Sequence, residues 1–221
     1  MRGDRIAVVA GASGLVGGAL SRRLAESSEW TEVRLLLRRP IPELVSPKVR
    51  QVIVDWERLA DWQGELAADA VFCALGTTRA KAGSPEAFRR VDYEYPLRLG
   101  QLAKAAGARH VGLVSSVGAN PKASALYVRV KGEIELALQA LGLPSLAILR
   151  PSLLLGERAE FRFGERVAIA VMKPLGPLFV GPLARYRGIE APTVAQALER
   201  LALTAAPGVK ILESEEIARL R

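Results

Sequence analysis

Tyr127 and Lys131 stand four residues apart in the run Tyr127-Val128-Arg129-Val130-Lys131, a spacing that puts both side chains on one face of a helix. A phenol works as an acid or base near neutrality only if its ionised form is stabilised. Bringing its titration from about 10 to about 7 takes roughly 4 kcal/mol, and a neighbouring ammonium can supply part of it. Ser115 and Ser116 follow the apolar run 111–114, where a hydroxyl can orient a carbonyl oxygen. Ser116 is the first candidate for this role and Ser115 the second. Tyrosine–lysine pairs at this spacing also arise on plain surface helices. The pair gains meaning from its order in the chain, after the serines and after a glycine-rich turn.

That turn is Gly11-Ala12-Ser13-Gly14-Leu15-Val16-Gly17, and it follows the apolar run 6–10 directly. In such a strand-to-helix setting the first glycine turns tightly and the second lets backbone approach a pyrophosphate. The third lets the helix pack closely on the strand. The helix N-terminus then offers N–H groups and a partial positive charge to an anion, and Ser13 can add a hydroxyl. An NAD site places an acid about 20 residues further on, against the ribose 2′-hydroxyl. Here the second strand ends in Leu37-Arg38-Arg39-Pro40, and two guanidiniums favour a 2′-phosphate. NADP(H) is therefore the preferred cofactor, with NAD(H) the alternative. Asp55 and Trp56, after the third strand, fall where the adenine edge would lie.

The elements that must carry these residues are visible as short, continuous apolar runs at 6–10, 33–37, 49–54, 70–75, 111–114 and 146–149. Continuous rather than alternating runs suit a parallel sheet covered on both faces. Helical spacing recurs at 15–25, 96–106 and 126–141, with Gly107 and Gly142 placed to end the last two. Alternating strand and helix predicts an α/β, Rossmann-like doubly wound parallel sheet, with ligands at the carboxyl ends of the strands. From 153 to 192 prolines and glycines break the pattern, which reads as a small, irregular substrate-side extension before a helix at 194–205. No linker or repeat divides residues 1–221, so one NAD(P)-binding domain is expected.

Composition narrows the function classes. Half of the 221 residues are hydrophobic and a quarter charged, ordinary for a chain that buries a core. The formal charge of +8 is spread along the sequence without a basic run, and aromatics make up only 5%, so no specific nucleic-acid partner is expected. A basic surface would steer an anionic ligand inward. One histidine, His110, and one cysteine, Cys73 within an apolar run, argue against a metal centre, a Ser-His-Asp triad or an internal disulfide. The charged start has no secretory apolar core, and no run of about 18 apolar residues occurs. A cytoplasmic protein without a membrane span is the expectation, as monomer or homodimer.

Taken together, these motifs resemble the short-chain dehydrogenase/reductase superfamily in its extended and atypical branches, most closely the Tat-interacting-protein-like oxidoreductases. The resemblance spans most of residues 6–156. It includes Leu75-Gly76-Thr77-Thr78-Arg79 after the fourth strand, Arg90-Val91-Asp92, Leu113-Val114-Ser115-Ser116, Val130-Lys131-Gly132-Glu133 and Leu149-Arg150-Pro151. It implies NADPH binding, with Ser116, Tyr127 and Lys131 as the catalytic serine, tyrosine and lysine. It further implies that Leu75, Gly76 and Thr77 border the cofactor and that Pro151, Ser152 and Leu153 approach the nicotinamide. Asp92 departs from the asparagine that extended members often carry, which puts an asparagine-dependent proton relay in doubt.

The reading that follows is an NADP(H)-dependent oxidoreductase acting on a carbonyl or alcohol. Two alternatives stay open. One is an NADPH-sensing protein that binds a protein partner with little catalysis, and the other a nicotinamide-dependent epimerase.

Overall fold

The computed structural model describes residues 4–155 and 188–220. The apolar runs become parallel strands: β1 (Ile6–Ala10), β2 (Glu32–Leu37), β3 (Val49–Ile53), β4 (Ala70–Cys73), β5 (His110–Val114) and β6 (Ser145–Arg150). A seventh strand, β9 (Gly208–Glu213), pairs in parallel with β6 and completes the sheet order β3-β2-β1-β4-β5-β6-β9. The Rossmann-like, doubly wound expectation holds. The order reverses between β1 and β4, which opens a crevice at their carboxyl ends.

Successive strand residues feed two cores. Ala7 and Val9 of β1, Ala70 and Phe72 of β4, and Ala147 and Leu149 of β6 face one side. They pack with Leu20 and Leu24 of α1 (Leu15–Glu26) and with Val194 and Leu198 of α6 (Ala191–Thr204). Val8, Ala10, Val71, Cys73, Leu146 and Ile148 face the other side. Their partners are Leu99 and Leu102 of α4 (Tyr95–Ala105) and Ile134 and Leu138 of α5 (Leu126–Ala140). Each fully buried leucine or phenylalanine contributes roughly 1.5–3 kcal/mol, so both faces must be covered for the sheet to persist. Two-sided burial is why these strands read as continuous apolar runs.

Gly107 and Gly142 adopt left-handed φ values of +78° and +62° after α4 and α5, the conformation that ends a helix cheaply only with glycine. Between β4 and α4 lie α2 (Arg79–Ala82), α3 (Pro85–Arg89) and a π turn over Arg90–Glu94 that runs into α4. The stretch read as irregular is partly regular. Leu154–Leu155 (β7) pairs in parallel with Ile189–Glu190 (β8), and α6 starts at Ala191 with Pro192 in its first turn. Residues 156–187, including Phe161, Phe163, Met172, Phe179 and Tyr186, lie outside the described residues.

Candidate active site

The glycine turn sits at the crevice between β1 and β4. Gly11 has φ +92°, and a Cβ there would stand 2.4 Å from the carbonyl oxygen of Ala74 after β4. Gly17 packs the first turn of α1 so tightly on the loop that a Cβ would lie 2.1 Å from Gly11 O. Gly14 is the N-cap of α1, its N–H donates to Gly11 O at 2.9 Å, and no side chain caps the helix start. Ala12 and Val16 are buried, Leu15 is half-buried and Ser13 is exposed. Backbone is thus left bare at a helix N-terminus, as a pyrophosphate requires. Arg38 and Arg39 stand exposed just past β2, at the same end of the sheet. The turn fits the pyrophosphate of a dinucleotide.

Asp55 and Trp56 are engaged within the protein. The Asp55 carboxylate accepts the Glu57 N–H at 3.0 Å and caps the 3₁₀ turn Trp56–Leu66. Trp56 is buried with its ring 5.6 Å from that of Tyr95. The Tyr95 hydroxyl donates to Glu57 at 2.6 Å. Burial and then that carboxylate push Tyr95 up to about 12.

Lys131 is the most buried of the chemical side chains, at 4% exposure. Its Nζ forms an ion pair with Asp92 Oδ1 at 2.9 Å, and Asp92 Oδ2 accepts the Thr77 N–H at 2.9 Å. Burial alone would push the Lys131 ammonium down. The Asp92 carboxylate outweighs that and, with a smaller contribution from Tyr127, holds it above its ordinary value. Gly76 is exposed beside this pair; a Cβ there would meet Asp92 Oδ1 at 3.5 Å and Lys131 Nζ at 3.9 Å. Burial pushes the nearby Cys73 thiol up to about 11, which leaves it unreactive. Tyr127, one helical turn before Lys131, is 40% exposed, with its ring 6.0 Å from Phe88.

The two serines part company. Ser115 is buried and its hydroxyl donates to Glu135. Arg150 grips the same carboxylate through Nε at 3.0 Å and Nη2 at 2.6 Å, and reaches Glu213 through Nη1 at 2.9 Å. Ser116 is half-buried and donates only locally, to Val117 O at 3.3 Å. Its loop is fastened to the start of α5: the Asn120 N–H donates to Val128 O at 3.0 Å. A Cβ on Gly132 would collide with Asn120 and Pro121 at 2.3–2.6 Å. A cavity of about 320 Å³ opens between residues 117–121 and the strand ends at Arg150 and Glu213; Ser116, Tyr127 and Lys131 do not line it. Beyond β6, Pro151 O accepts the Val117 N–H at 2.9 Å, the Ser152 and Ser214 hydroxyl oxygens are 3.1 Å apart, and Leu153 O accepts the Ile189 N–H.

Sequence reasoning missed Glu135 and the pairing of Asp92 with Lys131. Glu135 continues the four-residue spacing of Tyr127 and Lys131, a signal that was available. Asp92 stood out only through the resemblance, and nothing local announced its pairing with Lys131.

A family model described as NAD(P)H-binding matches residues 11–165. The chain belongs to the NAD(P)H-binding, atypical short-chain dehydrogenase/reductase family. A similar relative is Protein HTATIP2 of Rattus norvegicus, 36% identical over 218 residues that cover 96% of this chain and 87% of that protein. Another is Protein FMP52-1, mitochondrial, of Scheffersomyces stipitis, 34% identical over 229 residues that cover 97% of each. Among solved structures, MoeE5 in complex with UDP-glucose and NAD superposes with a TM-score of 0.68 at 19% identity, covering 97% of this chain and 79% of that one. WbmH of Bordetella bronchiseptica in complex with NAD+ gives 0.72 at 16% identity, covering 96% and 76%. At these identities the likeness is one of fold.

The relatives overturn one expectation. FMP52 proteins similar over 97% of this chain carry a mitochondrial location in their names, against the cytoplasmic location read from the sequence. That reading rested on the lack of a secretory apolar core and of an apolar span. Mitochondrial import depends on an amphipathic, arginine-rich segment instead, so neither absence bears on it. Among the described residues no helix is long and apolar enough to cross a membrane.

Proposed function

We propose that this family member is an NADP(H)-dependent oxidoreductase acting on a carbonyl or alcohol. The observation that carries the proposal is the buried Lys131, one helical turn behind the exposed Tyr127 and tied through Asp92 to the loop beside the glycine turn. Chemistry and cofactor turn thereby share one end of the sheet.

In this reading the backbone at Gly11–Gly17 holds the pyrophosphate, and Arg38 and Arg39 select the 2′-phosphate. Leu75, Gly76 and Thr77 border the dinucleotide, and the backbone at Pro151, Ser152 and Leu153 lies toward its reactive end. When bound, the nicotinamide supplies or accepts the hydride. Tyr127 exchanges a proton with the substrate oxygen, Lys131 favours its ionised form, and Ser116 holds that oxygen by a hydrogen bond. Ser115 does not take this part, because Glu135 occupies its hydroxyl.

Tyr127→Phe tests the assignment. Turnover across a panel of aldehydes and ketones should fall at least about a hundredfold, the scale of general acid–base catalysis, while NADPH affinity stays nearly unchanged. Retained turnover removes Tyr127 from the mechanism. A wild-type protein that binds NADPH tightly yet reduces nothing in the panel supports the sensor reading. One that keeps its cofactor and inverts a stereocentre without consuming it supports the epimerase reading.

A further inference from the structure

Asp92 ties Lys131 to the Thr77 amide, and its environment is unusual for a carboxylate. Its side chain is fully buried, an expensive state for a charge unless it is paired. It occupies the middle of the π turn Arg90–Glu94, between α3 and α4. A π turn carries an extra residue, which rotates a side chain off the position that regular helix would give it, and such turns recur at functional sites. Here the rotation sends Asp92 inward, so that one oxygen meets Lys131 Nζ at 2.9 Å and the other takes the Thr77 N–H at 2.9 Å.

We propose that Asp92 is a positioning residue for the reaction, the counter-ion that fixes Lys131 one helical turn from Tyr127 and keeps its charge in the interior. The inference rests on the reading of Tyr127 and Lys131 as the acid–base pair. The ionisable groups facing Lys131 are Asp92 from the π turn, Tyr127 from its own helix and Cys73 from β4. The half-buried Arg89 and Glu133 pair with each other. With Asp92 ionised, the buried Lys131 ammonium has a partner at 2.9 Å. Without that partner a cation this buried sheds its proton and offers Tyr127 no charge. Because Asp92 also grips the Thr77 amide, a shift of the cofactor-side loop moves the counter-ion and so changes the charge that Tyr127 feels. The acid–base group is thus coupled to the loop that borders the dinucleotide.

Asp92→Asn tests this, because the amide oxygen can still accept from Thr77 while the charge is removed. The readout is the titration of Lys131 in the intact chain, followed by NMR of protein labelled at lysine Cε and assigned with Lys131→Met. Asp92→Asn should lower the Lys131 midpoint by at least about one pH unit, the effect of losing an opposite charge at this distance. An unchanged midpoint in folded Asp92→Asn overturns the proposal. If Asp92→Asn fails to fold, the wild type decides: Lys131 should keep its proton to at least as high a pH as the exposed lysines in the same spectrum, and an earlier loss overturns the proposal. The titration needs no substrate and no turnover, so its outcome is independent of the Tyr127→Phe assay that tests the catalytic reading.

Discussion

Gly17→Ala adds one methyl group at the tightest contact of the glycine turn. The new Cβ would sit 2.1 Å from Gly11 O and 2.6 Å from Gly11 C, both backbone atoms held by the turn. Ordinary carbon contacts begin near 3.5 Å, so α1 and the loop must separate by more than an ångström. Overpacking of this kind costs about 3 kcal/mol at the upper end of its range. Alanine returns about 1 kcal/mol through its better helix propensity. The net loss is about 2 kcal/mol, a fall in Tm of about 4–8 °C for a chain of this size. Gly64→Ala is the matched control, since its Cβ would meet nothing within 4 Å and its φ lies outside the left-handed region. Thermal melts of both variants beside the wild type, with NADPH titrated by fluorescence, separate the effects. Gly17→Ala should melt lower and bind NADPH at least about tenfold more weakly, because the displaced amides no longer converge on a pyrophosphate. Gly64→Ala should do neither. Equal melting and equal affinity for the two variants would refute the close-packing argument.

Replacing Arg38 and Arg39 together by alanine should weaken NADPH binding more than about tenfold, as expected for lost charge-assisted hydrogen bonds, and leave NADH binding nearly unchanged. Equal losses for both cofactors in a calorimetric titration would contradict the selectivity assigned to these arginines. His110 gives the fold an acid-sensitive point. Burial lowers it from 6.5 to about 4, with Nδ1 2.9 Å from the Ser145 hydroxyl oxygen. The unfolded chain therefore takes up this proton first, and stability falls as the pH drops from about 6.5 to about 4, by on the order of 3 kcal/mol. Urea unfolding at pH 7 and pH 4.5 should show most of this slope in the wild type and its loss in His110→Asn. Glu32 is held at about 2 chiefly by the Arg34 guanidinium, so its contribution is lost as the pH falls from about 4.5 to about 2, mostly below that window.

The sheet was legible because β1, β2 and β4 to β6 are buried on both faces, which leaves a continuous apolar signature. β9 was not. It lies at the sheet edge with Val209, Lys210 and Ile211 exposed, and Leu212 alone of the strand is buried in a core, so little constrains its pattern. The glycine turn was legible for the same reason that substitution there is costly, since only glycine permits its contacts with backbone. Asp92 shows the opposite case. Its inward direction depends on one extra residue in the π turn Arg90–Glu94, and a π turn leaves no periodic mark that a 3.6-residue reading detects. Trp56 illustrates a third case, in which the residue follows β3 as read, while its packing against Tyr95, 39 residues further on, has no local signal. The sequence ranked Ser116 ahead of Ser115, and the engagement of Ser115 by Glu135, 20 residues further on, is visible only in three dimensions.

The most direct test of the account is a crystal structure of the chain grown with NADP. The pyrophosphate should lie on the Gly11–Gly17 turn and the 2′-phosphate between Arg38 and Arg39. The nicotinamide should lie beside Pro151, Ser152 and Leu153, facing Tyr127. A dinucleotide bound elsewhere, or one whose nicotinamide end lies away from Tyr127 and Lys131, would contradict it.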